Sequence, residues 1–111
     1  MVSLEFVAIR CADPEHTRAF YESVGLRFEA EQHDGGPAHF AARLGSTIVE
    51  LYPARPGGAN LQPATLGLAV PDLDEVEQRL RTAGHVTRRD TDGMVLVATD
   101  PDGRQVRIAS S

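Results

Sequence analysis

Two charged residues stand at matching places in this chain: Glu50, within Ile48-Val-Glu-Leu51, and Arg107, within Gln105-Val-Arg-Ile108. A carboxylate and a guanidinium on facing strand positions could pair with each other, because a lone buried carboxylate is costly. They could instead meet a small molecule, Glu50 as a general base and Arg107 holding an anionic or carbonyl oxygen. Phe6, Arg10 and Tyr52 share the parity of Glu50 along their strands. Phe6 and Tyr52 are the obvious inward aromatics of a chain that has four Phe, two Tyr and no Trp. His39 and Arg43 alternate with Phe40, Ala42 and Leu44, so an apolar set facing a helix sends the basic set into the same groove.

The remaining reactive side chains read more plainly. Cys11, the single cysteine, shares the parity of Val7 and Ile9 and is expected in the core. His16 belongs on a solvated helix face, and His85, after a helix-stopping Gly84, is expected to be structural. His33 and Asp34 lie in the Gly-rich loop Glu31-Gln-His-Asp-Gly-Gly-Pro37, where a ligand could be met. No His-x-x-x-His, Gly-x-Gly-x-x-Gly, P-loop or Gly-x-Ser-x-Gly pattern occurs, so the sequence predicts no metal and no cofactor.

An internal repeat must position these residues. Phe6-Val-Ala-Ile-Arg-Cys-Ala-Asp13 aligns with Thr65-Leu-Gly-Leu-Ala-Val-Pro-Asp72, with Val7 opposite Leu66, Ile9 opposite Leu68 and Gly25 opposite Gly84. Each half opens on a strand, caps a helix with Asp13 or Asp72, and stops it at Gly25 or Gly84. Apolar stripes of Ala19, Phe20 and Val24, and of Leu73, Val76, Leu80 and Ala83, face the core. Three strands then follow in each half, around Gly45-Ser46 in the first and around Thr99-Asp-Pro-Asp-Gly103 in the second. The expectation is an α+β chain of two βαβββ modules, 1–54 and 62–111, with a Pro- and Gly-rich linker at 55–61. They would form a curved mixed sheet with a concave groove and helices on its outer face.

Composition narrows the function. The 111 residues suffice for one core, at 41% hydrophobic and 24% charged. A net charge of −5 argues against nucleic acid or an anionic membrane as partner. No apolar run reaches a membrane span and no signal segment opens the chain, so a cytoplasmic protein is expected.

With Asp13…Phe20-Tyr21…Gly25-Leu26 and the late Asp100-Pro-Asp-Gly103, the βαβββ–βαβββ order resembles the vicinal oxygen chelate superfamily, which holds glyoxalase, the extradiol dioxygenases and the bleomycin resistance proteins. The resemblance implies metal ligands at four places, and in this chain those places hold Phe6, Glu50, Thr65 and Arg107. Phe has no donor atom, Thr is a poor ligand and an Arg cation repels a metal. The implied protein is therefore a metal-independent, bleomycin-resistance-like one that binds a small organic molecule in its groove. Phe6, Arg10, His39, Tyr52, Thr65 and Arg107 are its expected ligand contacts. A lyase, isomerase or epimerase using Glu50 as base is the enzymatic alternative, and a domain without a ligand is the third. Uncovered strand edges, together with the resemblance, predict a homodimer.

Overall fold

The computed structural model describes residues 1–55 and 64–111, so the expected linker lies outside the described residues from position 56 onward. Strand β1 (Phe6–Cys11) leads into α1 (Pro14–Val24), then β2 (Phe28–Glu31), β3 (His39–Leu44) and β4 (Thr47–Pro53). The order returns as β5 (Thr65–Val70), α2 (Leu73–Thr82), β6 (Thr87–Arg89), β7 (Val95–Thr99) and β8 (Gln105–Ser110). The fold is thus α+β, two βαβββ modules in one chain.

Both helices start as their sequences dictate. Asp13 accepts hydrogen bonds from the Glu15 and His16 amides, with Pro14 in the first turn. Asp72 accepts from the Glu75 amide. Gly25 ends α1 at φ 129°, a conformation that an L side chain rarely adopts. The buried faces differ in part from the expected stripes. Ala19 is exposed, and α1 instead buries Thr17, Phe20, Tyr21 and Val24. Ala83 is the exposed C-cap of α2, whose buried residues are Leu73, Val76 and Leu80.

Each module forms its own four-stranded mixed sheet, in the orders β1-β4-β3-β2 and β5-β8-β7-β6. The first strand of each module pairs in parallel with the last, Ala8 opposite Glu50 in one and Gly67 opposite Arg107 in the other. The matched registers are the repeat expressed as hydrogen bonding. No strand pairing joins the two sheets among the described residues. One face of each sheet packs under the helices: Ile9, Cys11, Ala42 and Leu51 in the first module, Val70, Leu96, Val106 and Ile108 in the second. Phe6 and Ala8 on β1, and Thr65, Gly67 and Ala69 on β5, lie on the opposite, open faces.

The modules meet through their helices and through the β7–β8 turn. The Tyr21 hydroxyl donates to Asp100 Oδ2 at 2.7 Å, and the Ala12 amide donates to Asp102 Oδ1 at 3.1 Å. The Thr17 hydroxyl reaches Asp102 Oδ2 at 3.3 Å. Arg104 bridges the same acids, Nη1 lying 3.2 Å from Asp100 and 3.3 Å from Asp102, and it also donates to the Arg10 carbonyl. Phe20 meets His85 edge to face at a centroid distance of 4.9 Å, so His85 is a packing residue. Buried polar groups are stabilising only when partnered, and here each of these is.

Candidate functional site

The open face of the first sheet carries one continuous row of side chains across all four strands. Arg10 stands opposite Tyr52 in the β1–β4 ladder, and Glu31 stands opposite His39 in the β2–β3 ladder. The β3–β4 ladder, with Phe40 opposite Leu51, brings His39 beside Tyr52. Direct cross-strand neighbours interact through their side chains. The His39 and Tyr52 rings stack at 4.3 Å with 15° between their planes, and the Arg10 guanidinium lies over the Tyr52 ring at 5.0 Å from its centroid. His33, from the β2–β3 loop, tilts against His39 with centroids 5.3 Å apart. Burial pushes the Tyr52 phenol above its ordinary value, Glu50 adds to the shift and Arg10 opposes it.

Glu50 does not meet Arg107. Its carboxylate lies 3.4 Å from His39 Nε2, and Arg107 is exposed with no ion-pair partner among the described residues. The physical reason is topological. Matching positions in a repeat are related by the repeat, not by contact, and Glu50 and Arg107 lie on different sheets. His39 is diagonal to Glu50 across the β3–β4 pair, within reach of a long side chain. Of the expected contact residues, Phe6, Arg10, His39 and Tyr52 therefore share one face with Glu50, and Thr65 and Arg107 share the open face of the other sheet.

Glu31 joins this site without having been among its expected residues, and His33, expected in a loop where a ligand could be met, lies beside it. The signal was there: Glu31 falls on the parity of Glu29 at the end of β2, with His33 two residues on. Glu31 Oε1 lies 3.3 Å from His33 Nε2 and 3.3 Å from His39 Nε2. Along the same face Arg27, Glu29, Glu31, Ala41, Arg43 and Ile48 line an open hollow of about 350 Å³. That volume lies within the range of small-molecule sites, at its lower end. Cys11 is completely buried, and burial pushes its thiol up to about 11, so it is a packing residue without nucleophilic character.

This architecture, two βαβββ modules each leaving one sheet face open beside its helices, is the frame of the glyoxalase-like proteins. The chain belongs to the Glyoxalase/Bleomycin resistance protein/Dioxygenase superfamily, whose family model matches residues 3–108. Among solved structures, TnmS3, an antibiotic binding protein from Streptomyces sp. CB03234, superposes with a TM-score of 0.77 at 19% identity, over 99% of this chain and 96% of that one. The trypanothione-dependent glyoxalase I of Leishmania major gives 0.78 at 17% identity, over 99% of this chain and 87% of that one. The oxidase ChaP-H2 gives 0.76 at 19% identity, over 99% and 94%. No curated protein sequence matches. At these identities the likenesses establish the fold alone. No helix among the described residues is long and apolar enough to cross a membrane.

Proposed function

We infer that this protein binds a small organic molecule on the open face of its first sheet, without a metal on the superfamily's usual ligand set. The observation that carries the reading is the Arg10–Tyr52–His39 row, which stands beside a hollow on the open face that also carries Phe6. A stacked aromatic pair capped by a guanidinium suits a planar, electron-rich or anionic ligand. Phe6 is 57% exposed on the same face, a large apolar side chain for a ligand to cover. Three of the four superfamily ligand positions hold Phe6, Thr65 and Arg107, which cannot serve a metal-centred mechanism. An antibiotic binding protein shares this fold, in keeping with the binding reading. A second copy of the chain would complete the groove by bringing another open face, with its Thr65 and Arg107, over the first.

The test is a thermal-shift screen of planar and anionic small molecules against the wild-type chain, Tyr52→Ala and Arg10→Ala. A ligand at 100 times its dissociation constant adds about 2.7 kcal/mol of stability. The expected result is at least one ligand whose shift is lost in both variants. Ligands that stabilise wild type and both variants alike, or no stabilising ligand in a broad panel, would overturn the reading.

A further inference from the structure

We propose that Glu31, His33 and His39 form a binding site for a borderline divalent cation of the Zn2+ class, with Glu50 as the nearest donor for a fourth position. The site lies on β2, the β2–β3 loop and the start of β3, and of the four positions at which the superfamily places ligands it shares only Glu50.

Three observations carry it. The first is the spacing. Donors around a tetrahedral Zn2+ at about 2.0–2.1 Å stand about 3.3–3.4 Å from one another. Glu31 Oε1 is 3.3 Å from His33 Nε2 and 3.3 Å from His39 Nε2, and Glu50 Oε2 is 3.4 Å from that same His39 nitrogen. One ligand atom from each of Glu31, His33 and His39 falls within 4.8 Å of the others.

The second is an orphaned atom. His39 has a side chain only 2% exposed, and its Nε2 is buried without a hydrogen-bond partner. A buried polar atom left in that state costs free energy unless something else meets it. The atom is aimed between two carboxylates, a surrounding that a cation relieves.

The third is the other ring nitrogen. His39 Nδ1 lies 3.1 Å from the Pro37 carbonyl oxygen, which can only accept. Assigned from that acceptor, the proton sits on Nδ1 and Nε2 presents its lone pair. A backbone carbonyl holding the far N–H of a histidine ligand is the usual outer-shell arrangement in metal sites. Two imidazoles and a carboxylate suit Zn2+ better than Mg2+ or Ca2+, which favour oxygen alone. A bound cation would tie the β2–β3 loop to the sheet through His33 and would engage Glu50, removing it as a general base.

The proposal shares His39 with the groove reading, but its test uses the metal alone, so the two fail separately. Chelator-treated protein is titrated with Zn2+ by calorimetry and with Co2+ by visible absorption. The expected result is one ion per chain and the intense absorption of tetrahedral Co2+. His33→Ala, at an exposed residue whose loss leaves the fold intact by circular dichroism, weakens Zn2+ by at least about 10-fold, as losing a ligand should cost no less than losing an outer-shell partner. Glu31→Gln does the same. Wild type binding Zn2+ no more tightly than His33→Ala, or Co2+ keeping the weak spectrum of an octahedral aquo ion, overturns the proposal.

Discussion

The Tyr21 hydroxyl donates to Asp100 Oδ2 at 2.7 Å, both residues buried, so the helix of the first module is fastened to the β7–β8 turn of the second. The most recognisable stretches of the sequence, Phe20-Tyr21 with Gly25-Leu26 and Asp100-Pro-Asp-Gly103, meet at this one bond. Tyr21→Phe leaves one carboxylate oxygen short of a donor and should cost about 1–3 kcal/mol. Asp100→Ala removes one of the two acids paired with the buried Arg104, and with it the acceptor of the Tyr21 hydroxyl and of the Asp102 and Arg104 amides, and should cost about 3–5 kcal/mol. Urea denaturation of both variants measures this, and losses below about 0.5 kcal/mol in both would mean that the turn does not hold the modules together.

Alkaline pH should weaken the fold. Burial pushes the Cys11 thiol from 9.0 up to about 11, and it also pushes the Tyr21 phenol upward, with Asp100 adding to that shift. Both groups keep their protons in the folded chain over a range where the unfolded chain has lost them. The native state then binds more protons, so stability falls as pH rises from about 9. Cys11 alone contributes a loss of about 2–3 kcal/mol by pH 11. Denaturation midpoints from pH 8 to 11 should fall in wild type and fall less steeply in Cys11→Ala. Equal slopes would contradict the assignment to Cys11.

Arg107 should be dispensable for stability. It is exposed and has no ion-pair partner among the described residues, so Arg107→Ala should stay within about 0.5 kcal/mol of wild type. The same substitution should weaken any ligand found by the thermal-shift screen if Arg107 reaches the groove from a second chain. A large stability loss by chemical denaturation would show a partner for Arg107 within the chain.

The protein should be a homodimer. Val7, Ile9, Val49, Leu66 and Leu68 line an apolar cleft of about 280 Å³ where β1 and β5 approach without pairing. Unpaired strand edges beside apolar side chains favour association. Light scattering at micromolar concentration should give twice the 12.0 kDa chain mass, and Leu68→Glu should shift it toward the single-chain value. A monomeric mass for wild type would count against a groove shared between chains.

Much of this was legible in the residues. Asp13 and Asp72 mark helix starts, Gly25 marks a stop, and the alternation along β1 and β3 places Arg10 and His39 on the open face. Local signals succeed where the cause is local. The Glu50 partner was not legible, because it depends on the β3–β4 register, which a 3.4 Å contact to His39 expresses and a repeat does not. Tyr21 was missed as a buried residue for the same kind of reason. Its burial depends on Asp100, 79 positions away. The Glu31–His33–His39 cluster has irregular sequence spacing because a loop, not a helix face, brings it together.

The clasp runs in one direction. The β7–β8 turn sends Asp100, Asp102 and Arg104 into the first module, whereas the corresponding β3–β4 turn is the short Gly45-Ser46 link, and Thr47 beside it bonds back to Leu4 of its own module. The two halves are therefore not interchangeable, despite their repeated element order. Fusing two copies of the first would leave Tyr21 facing a turn with no acid to accept its hydrogen bond. Mirror pairing between halves ends at that turn, and the chain has in effect a lock side and a key side.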